Sequence, residues 1–298
     1  MALCDILVCL DSTIAGERRL DLALNLAHAD KAHLTAVYAL PEPPRPTGPA
    51  SSPHLPPTIR SPVSPDGARA IGGGQVAHDS LSAQEAREAE RADGMAERFR
   101  ADVSARGLAS DWQMFNHGDL PELIDRINAV DLAVIGQFAS EELGEGCWLR
   151  PDDIIVDAGR PVLIVPYAGQ FERVGSRVLI AWDGTREASR ALHEGLPLIL
   201  AAEAATVLHV GEGALDGNRR SLARIVDHLA RHGVQAKPEE LPRGGIPVAE
   251  VILSRAGDMG ADLIVMGAYH HSPLRESLLG GVSRALLDHM TVPVLMSH

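Results

Sequence analysis

The amino-acid sequence predicts an α/β chain of two tandem, doubly wound domains, each built on a five-stranded parallel sheet. Three observations predict it. Apolar runs alternate with segments of helical period along the whole chain. The apolar runs are continuous, as in strands covered on both faces, rather than alternating with polar residues. The second half also repeats the first, in order. Asp5-Ile-Leu-Val-Cys-Leu-Asp11-Ser-Thr13 resembles Arg177-Val-Leu-Ile-Ala-Trp-Asp183-Gly-Thr185. Asp131-Leu-Ala-Val-Ile-Gly136 resembles Asp262-Leu-Ile-Val-Met-Gly267, and Pro161-Val-Leu-Ile-Val165 resembles Pro293-Val-Leu-Met-Ser297. Three similarities in register point to a duplicated unit.

In the first half, strands are expected at 5–10, 33–39, 110–116, 131–136 and 161–166, with helices near 15–30, 81–106, 120–129 and 150–158. The second half gives strands near 176–182, 205–210, 235–241, 262–267 and 293–297, and helices near 186–203, 217–232, 247–258 and 280–290. Parallel strands need helical crossovers, so each half reads as a Rossmann-like unit. The domains are placed at 1–167 and 175–298, joined by the polar, glycine-containing stretch from Tyr167 to Gly175. Residues 41–80 break the symmetry. They are rich in Pro, Ser and Gly, too poor in apolar area to order themselves, and read as a mobile insertion after the second strand.

Composition sets outer limits. A chain of 298 residues suits two domains, and 45% hydrophobic content suffices for two cores. With aromatics at 3%, Ala, Val, Leu and Ile must fill them. A net charge of −13 argues against nucleic acid and acidic membranes as partners, since both require a basic surface. Cys4, Cys9 and Cys147 form no metal-ligand spacing and read as reduced thiols. No leader or apolar span long enough for a membrane is visible, so a cytoplasmic protein is expected.

Open parallel sheets bind ligands at the carboxyl ends of their strands, beside the point where strand order reverses. In the second half these ends are Asp183, Val210 and Gly267. A helix is expected to open at Gly280 or Gly281, where bare backbone N–H groups suit a phosphate. Gly267, His270, Gly280 and Gly281 stand at the spacing G-x2-G-x9-G-[S/T], and on that pattern the chain resembles the universal stress protein family across nearly its whole length except 41–80. The resemblance implies ATP, with Mg²⁺, as a ligand held as a switch. It places Asp183 and Val210 near adenine and ribose, and Gly267, Gly280 and Gly281 near ribose and phosphates. His270 replaces the second glycine of the pattern, and its imidazole could reach a phosphate. Gly281 replaces the Ser or Thr, keeping the N–H but losing a hydroxyl hydrogen bond worth about 1 kcal/mol. The resemblance further implies that the strands at 161–166 and 293–297 pair within one chain, giving a pseudo-two-fold. Further self-association through exposed apolar surface stays open.

The first half keeps no such pattern. No Gly-Gly or Gly-Ser opens the helix after Gly136, and the loop is acidic. Residues 1–170 carry 14 Lys+Arg against 25 Asp+Glu, whereas residues 171–298 carry 13 against 15. An anion should prefer the second half, and the first reads as structural. Other chemistries find less support. His270, His271, His289 and His298 complete no recognised metal spacing. His209 reads as a core histidine, Arg275 as a surface arginine, and Asp11 and Asp183 as turn-capping carboxylates. There is no G-x-S-x-G elbow, no G-x-x-x-x-G-K-[ST] loop and no S-G-G-x-D-S turn, so at most slow ATP hydrolysis is expected. The rival reading is a nucleotide-free interaction scaffold with vestigial pockets.

Overall fold

The computed structural model describes residues 2–40, 73–116, 119–137, 149–211, 216–268 and 281–298. The first half runs β1 (Asp5–Leu10), α1 (Ile14–Asp30), β2 (His33–Ala39), α2 (Gly73–Arg106), β3 (Ser110–Phe115), α3 (Leu120–Asn128), β4 (Leu132–Gly136), α4 (Pro151–Asp157) and β5 (Val162–Val165). The second runs β6 (Arg177–Ala181), α5 (Arg186–Glu194), α6 (Leu196–Ile199), β7 (Ala204–Gly211), α7 (Asp216–Arg231), β8 (Ala236–Pro242), α8 (Val248–Met259), β9 (Leu263–Gly267), α9 (Gly281–His289) and β10 (Val294–Ser297).

The expected five-stranded units are joined edge to edge. The strands form one ten-stranded sheet in the order β3-β2-β1-β4-β5-β10-β9-β6-β7-β8. Within each half every pairing is parallel, as between β1 and β4 or β6 and β9. The two halves meet where β5 and β10 pair antiparallel, with Leu295 opposite Leu163. This is the internal pairing of final strands that the family resemblance implied. An antiparallel join between like strands makes the halves run oppositely along the sheet, as a pseudo-two-fold requires.

Alternate residues of the buried strands feed two cores. Ile6, Val8 and Leu10 pack with α1, whereas Leu7 and Cys9 face the opposite side. One core takes α1, α2, α5, α6 and α7, and the other takes α3, α4, α8 and α9. Both faces are therefore covered, which explains why the strand sequences are apolar throughout.

Two boundaries differ from expectation. The helix expected from 81 begins at Gly73, so 73–80 belong to α2 rather than to the insertion. Once a long helix is anchored, each added residue closes a backbone hydrogen bond at little cost, and propagation can run past a glycine pair. The remainder of the insertion lies outside the described residues. The helix expected at 186–203 is divided at Gly195, with Pro197 in the first turn of α6. Gly195 is a close approach to the sheet, because a Cβ there would lie 2.7 Å from Leu295 Cδ2.

Candidate ligand site in the second half

The turn after the first strand of each half is built alike. Thr185 caps α5 by accepting a hydrogen bond from Ala188 N at 3.1 Å, and Asp183 accepts one from Thr185 N at 3.0 Å. In the first half Thr13 accepts from Gly16 N at 3.0 Å, and Asp11 accepts from Thr13 N at 2.9 Å. Both aspartates thus order the turn that starts a helix, as expected from their position. Gly184 sits within its turn at φ +79°, a conformation glycine adopts without a steric penalty.

Strand order reverses between β6 and β9, and a cavity of about 340 Å³ opens at their carboxyl ends. Its apolar wall combines Leu208 and Val210 of β7, Val248 and Ile252 of α8, and Met266 of β9. Its polar rim comes from Asp183, Gly267 and the first turn of α9, Gly281 to Ser283. Gly267 allows the end of β9 to touch the start of α5, since a Cβ would come 2.4 Å from Ala188 N. Among the described residues, no atom stands within 4 Å of where a Cβ would be at Gly281. Asp183 is the one charged side chain among the described residues lining the cavity.

The structure therefore brings together four of the six residues singled out in the sequence, Asp183, Val210, Gly267 and Gly281. His270 and Gly280 lie outside the described residues, as do His271 and Arg275. Sequence reasoning missed Val248, Ile252, Trp182 and Ser283. Val248 and Ile252 are one helical turn apart and were readable as an apolar face, but nothing in the sequence shows which strand end that face covers. Trp182 is buried and donates its indole N–H to Ser221 Oγ of α7 at 2.9 Å. His209 is half-buried and donates from Nδ1 to the Trp182 carbonyl at 2.9 Å, the satisfied role expected of it.

The same place in the first half is built differently. By the repeat register Ala191 of α5 corresponds to Arg19 of α1, and Arg19 is buried. Its guanidinium bonds Asp11 Oδ2 and the Cys9 carbonyl, both at 2.6 Å. Gly136 has no side chain because that space belongs to Arg19, whose Nη1 lies 2.0 Å from where a Cβ would stand. Burial alone would raise the Asp11 pKa, but the Arg19 charge and hydrogen bonds from Thr13 and Arg19 outweigh it and hold the carboxyl below its ordinary 3.8. Burial pushes the Cys9 thiol up to about 12. Asp11 is thus tied to a resident cation, whereas Asp183 is exposed at the cavity rim. Gln137, buried after β4, spans the two halves by donating to the Leu287 carbonyl of α9 at 2.7 Å.

Of the histidines weighed as metal ligands, His289 and His298 bond the backbone carbonyls of Ala285 and Ala268, at 3.0 and 3.2 Å. No group of three or more His, Cys, Asp or Glu among the described residues stands together in a way that could hold a metal ion. No helix among the described residues is long and apolar enough to cross a membrane.

Residues 176–298, the half that carries the cavity, match the family model described as the Universal stress protein family. That half is similar to the universal stress protein family. The universal stress protein YxiE of Bacillus subtilis (strain 168) is 29% identical over 147 residues, covering 41% of this chain and 97% of that protein. A universal stress protein structure from Archaeoglobus fulgidus DSM 4304 superposes with a TM-score of 0.66 at 16% identity, covering 98% of this chain and 95% of that one. A Pseudomonas aeruginosa UCBPP-PA14 structure assigned to the same family gives 0.53 at 19% identity, covering 99% and 93%. At these identities the structural likeness shows the fold alone, and it extends over both halves.

Proposed function

We propose that the second half binds ATP, with Mg²⁺, as a regulatory switch in a stress response, and that residues 1–167 form a structural partner domain. The observation that carries this reading is the cavity of about 340 Å³ at the β6–β9 reversal, bounded on one side by the start of α9. Its size falls in the range of small-molecule sites. The apolar wall from Leu208 to Met266 suits the faces of a purine. Asp183 offers acceptor oxygens to ribose hydroxyls, and the N–H groups at the start of α9 suit phosphate oxygens. Mg²⁺ would arrive with the triphosphate and temper its charge; among the described lining residues Asp183 is the side chain suited to it. That carboxylate also orders the Thr185 turn, which favours holding the nucleotide over turning it over.

The test is calorimetric titration of ATP and ADP, with and without Mg²⁺, into the intact protein and into Gly281→Asp. No described residue obstructs a side chain at Gly281, and an acidic residue in a helix's first turn is favoured by the helix dipole. Micromolar binding at one site per chain, lost in the variant, supports the switch. No binding to ligand-stripped protein leaves a nucleotide-free interaction scaffold. Turnover above background that disappears in Asp183→Ala would move the assignment to a slow hydrolase.

A further inference from the structure

Away from the cavity, three histidines meet between α5 and α7. His193 comes from α5, His228 from the last turn of α7, and His232 from the turn that follows α7. The ring centroids of His193 and His228 are 4.9 Å apart, and those of His228 and His232 are 4.7 Å apart in an edge-on arrangement. The three rings form a column. His193 donates from Nδ1 to the Ser189 carbonyl at 2.7 Å, and Nε2 of the central His228 is buried with no hydrogen-bond partner. A proton placed there would find no acceptor. The charges acting on His228 come from His193 on α5, from Arg231 at the end of α7 and from His232 just beyond it, all of one sign. Asp227, the preceding residue on α7, is exposed, and the carboxylates of the flanking elements have partners of their own. Glu194 of α5 bonds Ser297 at 2.6 Å and pairs with Arg190, while Glu239 and Glu240 of β8 pair with Arg255 and Arg219.

The other end of the same helix reaches the ligand site. Ser221 lies seven residues before His228 on α7, about 10 Å along the axis. Ser221 accepts the indole N–H of Trp182, and Trp182 lines the cavity. We propose that the His193–His228–His232 column is a pH-sensitive latch. Neutral, it holds the end of α7 against α5; protonated, it releases that end and alters the cavity through the Ser221–Trp182 hydrogen bond. The direction follows from linkage. Burial first, then its like-charged neighbours, lower the pKa of His228 below its ordinary 6.5, so a released helix end binds protons more readily than a docked one. Docking is complete above pH 6.5 and weakens as pH falls below it.

The experiment uses the intact, ligand-free protein between pH 8 and pH 5.5, reading amide-exchange protection factors in α7 and tryptophan emission, with Trp182→Phe assigning the emission change. Protection in the last two turns of α7 is expected to fall on the order of tenfold at the acid end, with a red shift of the Trp182 signal. His228→Gln keeps the spectrum seen at pH 8 and abolishes both changes, and His193→Gln, which removes one neighbouring charge, reduces them. Unchanged α7 protection in the wild-type protein, or a full response retained in His228→Gln, overturns the proposal. The link to the ligand rests on the nucleotide reading and is measured separately, as a weaker ATP affinity at pH 5.5 in wild type than in His228→Gln. Failure of ATP to bind at either pH would count against the nucleotide reading alone, because exchange and emission are read without ligand.

Discussion

Replacing Arg19 with Met should destabilise the protein strongly at neutral pH, although residue 19 is far from the cavity in the second half. Met keeps much of the aliphatic stem, so the lost volume is small, and what disappears is a buried cation. Two hydrogen bonds of 2.6 Å go with it, one to Asp11 and one to the Cys9 carbonyl. The Arg19 side chain is 4% exposed, and Asp11, at 22%, is only partly able to recover solvent. Breaking a buried pair by removing one partner costs about 3–5 kcal/mol, and the exposure of Asp11 brings the expectation to about 3 kcal/mol. At roughly 2 °C per kcal/mol for a chain of this size, the thermal midpoint should fall by about 6 °C. Arg91→Met is the control. Arg91 is 62% exposed, and its partner Glu88, though only 11% exposed, keeps the hydrogen bond from the Tyr38 hydroxyl at 2.8 Å, so losing this solvent-screened contact should cost about 1 kcal/mol. The pH dependence supplies a second check. Asp11 has a lowered folded-state pKa, so its stabilisation is complete above its ordinary 3.8 and is lost as pH falls through the lower folded value. The gap between wild type and Arg19→Met should therefore narrow as pH drops below 3.8 in circular-dichroism melts. A loss at pH 7 no larger than that of Arg91→Met, or a gap independent of pH, would refute the argument.

Gly267→Ala should cost about 1–3 kcal/mol by thermal melting, because its Cβ would press on the Ala188 amide at 2.4 Å and neither strand end nor helix start can yield cheaply. The same substitution should also weaken nucleotide binding by displacing the Thr185 turn, read by calorimetry. Cys9, with its thiol pushed up to about 12 and its side chain buried, should resist alkylation at pH 8, whereas the exposed Cys4 reacts. Peptide mapping after iodoacetamide checks this, and equal labelling of the two would contradict the burial of β1.

Much of the fold was legible because burial on both faces leaves a strong signature. Continuous apolar strands such as the one from Asp5 to Leu10, repeated in register near Arg177, gave element positions to within a few residues. The site was legible where backbone chemistry demands a residue type. Gly267 must be bare to let β9 meet α5, and Asp183 must cap a turn. The apolar wall was not legible, because Val248 and Ile252 look like any core-facing pair until the crossover sets α8 over β7.

By itself the sequence determined that the chain is a duplicated α/β unit and that the second half alone keeps glycines suited to a phosphate. Only the tertiary structure decided the register in which the halves meet, with Leu295 of β10 opposite Leu163 of β5 in an antiparallel pair. It alone showed that equivalent glycines serve different ends, Gly136 making room for the Arg19 guanidinium and Gly267 for a helix backbone. The physical reason is one of range. Strand and turn preferences act between near neighbours in the chain, whereas Arg19 meets Gly136, and His193 meets His228, only after long loops have closed.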